Sequence, residues 1–284
     1  MKIWPLWVGI AAVGLSIVFI VLNSSAQIFD GEKKIRVAFF PNIGHSAAIV
    51  GLEKGFYAEK LGNEIETKIF DSGPQVIESL FADSIDIAYV GPGPAINGFL
   101  KSKGDDLKII AGAASGGASF VIHPDSGFED VKDFAGKKIA APQISNTQDV
   151  SLRHYLAEYG YKSADKGGSV YVVNVGNPDI YTLFAKGDID AAWVSEPWAT
   201  MLVQQLDGKR MFYEEELWSD GKFSSVLLVV RSEFLLQRPD LVNRWLETHI
   251  ETIEWINANP DATEIIFNEF LKRLTGKTLP AELV

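Results

Sequence analysis

The sequence contains no cysteine. Disulfide bonds, thiolate zinc sites, iron–sulfur clusters and lipid attachment at an N-terminal cysteine are therefore excluded. Basic residues are also few, because 26 Lys and Arg stand against 37 Asp and Glu and leave a net charge of -11. No run of Lys and Arg is longer than two residues. Since nucleic-acid binding requires clustered cations, we expect no nucleic-acid partner.

The sequence also lacks the motifs of common enzymes. Residues 91–94, Gly-Pro-Gly-Pro, are not followed by Gly-Lys-Ser/Thr, and their prolines lack backbone amides that a phosphate-binding loop needs. No Gly-x-Ser-x-Gly elbow is present, and no cysteine can serve as a nucleophile. The four histidines show no metal-ligand spacing. We therefore expect a protein that is not an enzyme and that holds neither a metal nor a cofactor.

The N-terminus carries a long apolar segment. Residues 3–22 contain no charge, follow Lys2 and are long enough to span a bilayer. Ser24 and Ala26 would also suit a cleavage site after a signal peptide. The length favours a retained membrane anchor within residues 1–26, and a cleaved signal is the alternative. Either interpretation predicts that the rest of the chain is exported.

An internal repeat organises the remainder. Residues 80–95, LFADSIDIAYVGPGPA, match residues 183–199, LFAKGDIDAAWVSEPWA, with one inserted residue. Each copy predicts a helix end, a buried strand and a loop. Strands and helices alternate over 34–90 and again over 137–194, which is typical of α/β lobes with mostly parallel sheets. The aspartates that begin the two matching strands, Asp86 and Asp190, are predicted to be structural.

Two further strands, at residues 118–123 and 223–231, fall outside this scheme and are predicted to cross between the lobes. We expect lobe I to comprise residues 30–117 plus 226–284 and lobe II to comprise residues 118–225. The last residues, 279–284, have the pattern of the first turn of another helix. We therefore expect that the sequence is truncated within lobe I.

The predicted ligand site lies in the loops beyond the carboxyl ends of the strands, where open α/β sheets bind their ligands. These loops contain Asn, Ser, Thr and Gly but no Lys or Arg. Helix N-termini bind anions without a cationic side chain, so a small oxyanion would fit there. Alternatively, the serines and threonine of the loops serve only as helix caps. The loops are residues 41–46, 90–94, 145–148 and 195–198.

Three loop residues allow more than one interpretation. Glu196 would repel a bare anion but would suit a substrate with an ammonium group as well as an anionic end. Its alternative role is that of an acidic residue in the first turn of a helix. His45 is either a ligand contact or a structural residue. Trp198 either forms an apolar wall of the pocket or packs in the core.

The stretches FPNIGHSAAIVGLEKGFY, DSGPQVIESLFADSIDIAYVGPGPA, PQISNTQDVSLRHYLAEYG and NPDIYTLFAKGDIDAAWVSEPWAT resemble the nitrate/sulfonate/taurine group of ABC-transporter solute-binding proteins. The resemblance extends from about Ile35 to Asn259. It implies a two-lobe periplasmic-binding-protein fold of type II, with two hinge strands, that closes on its ligand. It points to pocket positions at Asn42, His45, Gly91, Pro92, Ser145, Asn146, Thr147 and Glu196. The adjoining loops add Ser115, Asn177 and Trp198.

The resemblance implies an extracytoplasmic protein that hands a small anion or zwitterion to a membrane permease and its ATPase. Sulfonate binders of this group often carry Asp where Pro92 stands, which leaves the substrate open. An alkyl sulfonate such as taurine ranks first because of Glu196, nitrate second and a thiamine-pyrimidine-type heterocycle third. The alternative is an enzyme of the thiamine-pyrimidine type with the same fold, against which the missing cysteines and the export segment count. A sensor ectodomain would need a signalling domain that this sequence does not contain.

Overall fold

The structure is a computed structural model that describes residues 34–62 and 64–275. The predicted anchor or signal segment at residues 1–26 and the predicted final helical turn at residues 279–284 lie outside this range. Within the described ranges, no helix combines the length and apolar character needed to cross a bilayer.

Two five-stranded sheets form the framework. Sheet A has the spatial order β2 (Ile65–Ile69), β1 (Ile35–Phe39), β3 (Ile87–Val90), β10 (Ser224–Arg231) and β4 (Leu107–Ser115). Sheet B has the order β7 (Tyr171–Asn174), β6 (Lys138–Ala141), β8 (Ala191–Ser195), β5 (Ala118–Ile122) and β9 (Lys209–Tyr213). In each sheet the central strands are parallel, and one strand, β10 or β5, runs antiparallel to both neighbours. The predicted repeat is thus a repeat of sheet topology.

The helices connect these strands and cover the sheets. They are α1 (Ser46–Glu53), α2 (Phe56–Leu61), α3 (Gly73–Phe81), α4 (Pro92–Lys101), α5 (Thr147–Glu158), α6 (Asn177–Ala185), α7 (Trp198–Gln205), α8 (Ser232–Gln237), α9 (Pro239–Ala258) and α10 (Pro260–Thr275). Helices α3, α4, α6 and α9 each carry proline in the first turn, where the missing N–H costs no helical hydrogen bond.

Both faces of each sheet are buried. In β3, Ile87 and Tyr89 join one hydrophobic cluster, while Ala88 and Val90 join the cluster on the opposite face. Alternate side chains of a strand point to opposite faces, so a strand covered on both sides must be apolar throughout. Sheet B is likewise packed between two clusters. This double burial explains why the strands within the repeat show no alternation of polar and apolar residues.

The matched aspartates are structural, as predicted, and hydrogen-bond the starts of their strands to the neighbouring strands. Asp86 is buried and accepts hydrogen bonds from the Arg36 backbone N–H at 3.0 Å and from the guanidinium groups of Arg36 and Arg231. Asp190 accepts the Lys138 backbone N–H at 2.7 Å in the same way. Burial raises the pKa of Asp86, but the Arg36 and Arg231 hydrogen bonds outweigh it and hold the pKa below its ordinary value.

The chain passes between the sheets twice, through neighbouring segments. Gly116 and Gly117, both with positive φ, connect β4 to β5. The return runs over residues 214–223, and its Phe223 carbonyl accepts the Gly116 N–H at 2.8 Å. Strands β5 and β10, predicted to cross between lobes, each belong to a single sheet. The crossings are therefore short segments beside these strands.

Candidate functional site

A cavity of about 1280 Å³ lies between the carboxyl ends of the two sets of parallel strands. Loops that follow β1, β2 and β3 line it from sheet A, and loops that follow β6, β7 and β8 line it from sheet B. Several helix N-termini face it, namely those of α1, α4, α5, α6 and α7. The cavity thus occupies the position at which open α/β sheets bind ligands.

Most of the predicted site residues line this cavity. Pro92 and Ser145 are not among the lining residues. Pro92 starts α4 behind Gly91, whereas Ser145 is a turn residue with φ of 66°. The Ser145 N–H donates to the Asp149 carboxylate at 2.9 Å, which fixes the turn before α5. The predicted residues that line the cavity are Asn42, His45, Gly91, Ser115, Asn146, Thr147, Asn177, Glu196 and Trp198.

Two of the facing helix N-termini touch each other. The Gly93 N–H, in the first turn of α4, donates to Thr147 Oγ1 on α5 at 3.2 Å. A Cβ on Gly91 would lie 2.3 Å from the same Oγ1, and one on Gly93 would lie 3.1 Å from the Thr147 backbone. Only glycine therefore allows this approach. Because Oγ1 accepts from Gly93, the Thr147 hydroxyl proton is available to another acceptor.

His45 is a neutral donor at the end of β1. Its side chain is buried, and Nδ1 accepts the Phe40 N–H at 3.2 Å, which places the ring proton on Nε2. Burial lowers the pKa of His45 to about 3, so the ring carries no charge near neutral pH. In the described part of the chain, Nε2 has no hydrogen-bond partner.

Glu196 is held by the protein itself. Its Oε1 pairs with Arg210 Nη2 at 3.0 Å, and its Oε2 accepts the Thr200 N–H in the first turn of α7 at 2.9 Å. Arg210 in turn lies 4.3 Å from the centre of the Tyr213 ring. The carboxylate therefore acts as an acidic residue at a helix start while it also reaches the cavity wall. Its charge is compensated within the protein.

The cavity carries no free cationic side chain. Among its lining residues, all of which fall in the described ranges, there is no Lys or Arg, and the acidic ones are Asp71 and Glu196. The positive ends of the helix dipoles therefore favour an anion in this cavity.

A family model describes most of the chain. The model of the NMT1-like family matches residues 30–268. The chain belongs to the NMT1-like family.

Curated relatives carry binding-protein names. This NMT1-like chain is 30% identical over 240 residues to a candidate binding protein of Brucella abortus (strain 2308), covering 84% of this chain and 72% of the relative. It is 26% identical over 274 residues to a candidate aliphatic sulfonates-binding protein of Bacillus subtilis (strain 168), covering 93% and 79%. It is 28% identical over 205 residues to the taurine-binding periplasmic protein of Escherichia coli (strain K12), covering 72% and 61%.

Solved structures share the fold of this NMT1-like protein. The alkanesulfonate-binding protein of Xanthomonas axonopodis pv. citri bound to MOPS superposes with a TM-score of 0.73 at 18% identity, covering 88% of this chain and 81% of the other. The periplasmic nitrate-binding protein of Synechocystis PCC 6803 gives a TM-score of 0.75 at 19% identity, with 89% and 69% covered. The two sheets thus form the periplasmic-binding-protein fold.

Sequence reasoning missed part of the wall in this NMT1-like chain. Phe40 and Phe70 follow β1 and β2 directly, so the rule that placed the other loop residues at the strand ends could have found them. Ser225 also lines the cavity, and its Oγ is buried without a hydrogen-bond partner, as is Asn177 Oδ1. The two serines that begin the mostly apolar strand β10 were the available signal.

Proposed function

We propose that this protein is the extracytoplasmic substrate-binding component of an ABC importer for small anions, with alkyl sulfonates and taurine ahead of nitrate. One observation carries the proposal: five helix N-termini face one cavity whose lining has no Lys or Arg. Such a site attracts an oxyanion. It also releases the oxyanion readily, because release leaves no buried cationic side chain without a partner. The names of the relatives and of the superposed structures support the same class of ligand.

The anion contacts in this proposal come from both sheets. Thr147 directs its hydroxyl proton to the anion while Oγ1 accepts from Gly93. His45 donates through Nε2. Asn42 and Asn177 extend the ring of donors along the loops after β1 and β7. Function is binding without chemistry.

The state of Glu196 bears on the choice between taurine and simple alkanesulfonates. An ammonium group could bind Glu196 only if it displaced Arg210 or the Thr200 N–H, since both carboxylate oxygens are occupied. We therefore expect an alkanesulfonate without an amine to bind at least as tightly as taurine. Nitrate lacks the apolar body that the aromatic wall could contact.

The architecture of the proposed importer component follows from the same features. Lobe I would comprise residues 30–117 plus 226–284 and lobe II residues 118–225, with hinge motion at residues 116–117 and at the return segment beside β10. The N-terminal segment would export the protein and tether it to the membrane. A permease and an ATPase would then be its partners.

Calorimetric titration of the purified exported part with ethanesulfonate, taurine, nitrate and bicarbonate tests this proposal. We expect a sulfonate to bind. Thr147→Val should weaken this binding by about tenfold, because the hydrogen bond from the hydroxyl to the anion and the one it accepts from Gly93 are both lost. Thr147→Ser keeps the hydroxyl and serves as the matched control. If no anion gives heat while an organic substrate is turned over, the enzyme alternative replaces this proposal.

A further inference from the structure

The wall of the cavity is more aromatic than a site for a small inorganic anion requires. Phe40 and Phe70 contribute from the side of sheet A, and Tyr181 and Trp198 contribute from the side of sheet B. Tyr181 and Trp198 meet edge to face with ring centres 6.4 Å apart, so they form one continuous surface. Met201, on the turn of α7 that follows Trp198, adds a flexible apolar group.

The volume of the cavity also favours a ligand larger than a small inorganic anion. Pockets for drug-sized ligands measure about 300–1,000 Å³, and this cavity has about 1280 Å³. The space is present although the two sides already touch, through the Gly93–Thr147 hydrogen bond.

The lining combines hydrogen-bond donors with aromatic rings. Thr147 and His45 supply donors at the starts of α5 and α1, whereas Trp198 and Tyr181 present ring surface along α7 and α6. Aromatic side chains gain most from ligands that present a flat face or a hydrogen-bearing edge. A ligand that satisfies both parts needs an anionic end and a broad planar apolar body.

We infer that the substrate class of this site is an aromatic monoanion, an arenesulfonate or arenecarboxylate, with its ring against Trp198 and its anionic group at the Thr147 and His45 donors. The inference rests on the proposed anion-binding function and narrows it. Trp198 is then the residue that determines selectivity. Ligands without a ring use the anion donors alone.

Titration calorimetry with benzenesulfonate, benzoate, ethanesulfonate and the uncharged benzenesulfonamide tests the inference. We expect benzenesulfonate or benzoate to bind about tenfold tighter than ethanesulfonate, which corresponds to the contribution of one well-packed aromatic contact. Benzenesulfonamide should bind at least tenfold more weakly than benzenesulfonate, since it lacks the charge that the helix N-termini attract (about 1.4 kcal/mol per tenfold).

Substitutions of two tryptophans test whether Trp198 is the residue that gives the preference for aromatic anions. Trp198→Ala should lose more affinity for benzenesulfonate than for ethanesulfonate, and Trp198→Phe should restore most of that difference. Trp255→Ala is the matched control, because Trp255 packs against Phe56 on α2 and does not line the cavity. Equal losses for both ligands in Trp198→Ala would overturn the selectivity role.

The remaining outcomes separate this inference from the function on which it rests. Binding of ethanesulfonate or nitrate with no advantage for either aromatic anion would overturn the inference and leave the proposed function intact. Binding of benzenesulfonamide as tightly as benzenesulfonate would overturn its anionic part. Failure of every anion to bind would overturn both.

Discussion

A buried carboxyl group in the return segment gives the most quantitative prediction. The Glu214 side chain is fully buried, accepts the Trp193 Nε1–H at 2.8 Å and is hydrogen-bonded to the Ser151 hydroxyl on α5. Burial raises the pKa of Glu214 from 4.5 to about 7, against the opposing effect of the Ser151 and Trp193 hydrogen bonds. The folded protein therefore holds a proton there that the unfolded chain releases at lower pH.

The pH dependence follows from this difference. The stabilisation by the protonated group is fully present below pH 4.5 and is lost as the pH rises through about 7. Each pH unit between the two pKa values is worth about 1.4 kcal/mol. Titration of Glu214 therefore lowers the free energy of unfolding by about 3 kcal/mol between pH 4.5 and pH 8.

Glu214→Gln removes this loss, because the amide can accept from Trp193 and donate to Ser151 without taking a charge. We expect urea unfolding at pH 5 and pH 8 to show a free energy of unfolding that falls with pH in the wild type by about 2 to 3 kcal/mol more than in the variant. Glu216→Gln, at an exposed position two residues away, is the control for the change in net charge. If the free energies of unfolding of the wild type and Glu214→Gln differ by the same amount at both pH values, the proposed titration of Glu214 is refuted.

Three further predictions concern the cavity. Gly91→Ala should weaken binding of every ligand by about tenfold or more, measured by calorimetry, because its Cβ would collide with Thr147 Oγ1 at 2.3 Å. Anion affinity should stay level between pH 8 and pH 6 in the same assay, since a His45 pKa of about 3 keeps the ring neutral throughout; a rise in affinity towards pH 6 would indicate an imidazolium instead. Arg210→Met should weaken anion binding by about tenfold, because it leaves Glu196 at the cavity wall without its ion-pair partner. The double variant with Glu196→Gln should recover the affinity. No loss of affinity in the single variant would argue that Glu196 is not charged there.

Local patterns predicted much of the framework. The strands predicted over residues 118–123 and 223–231 are β5 (Ala118–Ile122) and β10 (Ser224–Arg231). Both strands contain a run of buried apolar residues, which nearby residues alone can specify. The repeat also placed Asp86 and Asp190 correctly, because a carboxylate at a strand start needs only the neighbouring strand for its partner.

The parts that could not be predicted depend on distant contacts. Strand β9, KRMFY, is short, begins with two basic residues and has no apolar alternation. Its pairing with β5 therefore cannot be predicted from the sequence. Arg210 lies on β9, and for that reason its ion pair with Glu196 was not foreseen. For the same reason the prediction that the strands at residues 118–123 and 223–231 cross between the lobes was wrong, since each belongs to a single sheet. Charge compensation in a pocket is a tertiary property.

The Gly93–Thr147 hydrogen bond joins residues from different sheets, so the closed arrangement has a free energy of its own. If only a fraction of the molecules is closed without ligand, each apparent dissociation constant equals the intrinsic constant divided by that fraction. Substitutions of Gly93, which does not line the cavity, would scale the affinities for all ligands by one common factor. Substitutions in the aromatic wall would change the ratios between ligands. The solute concentration at which the protein binds and its selectivity between solutes are thus set by separate residues.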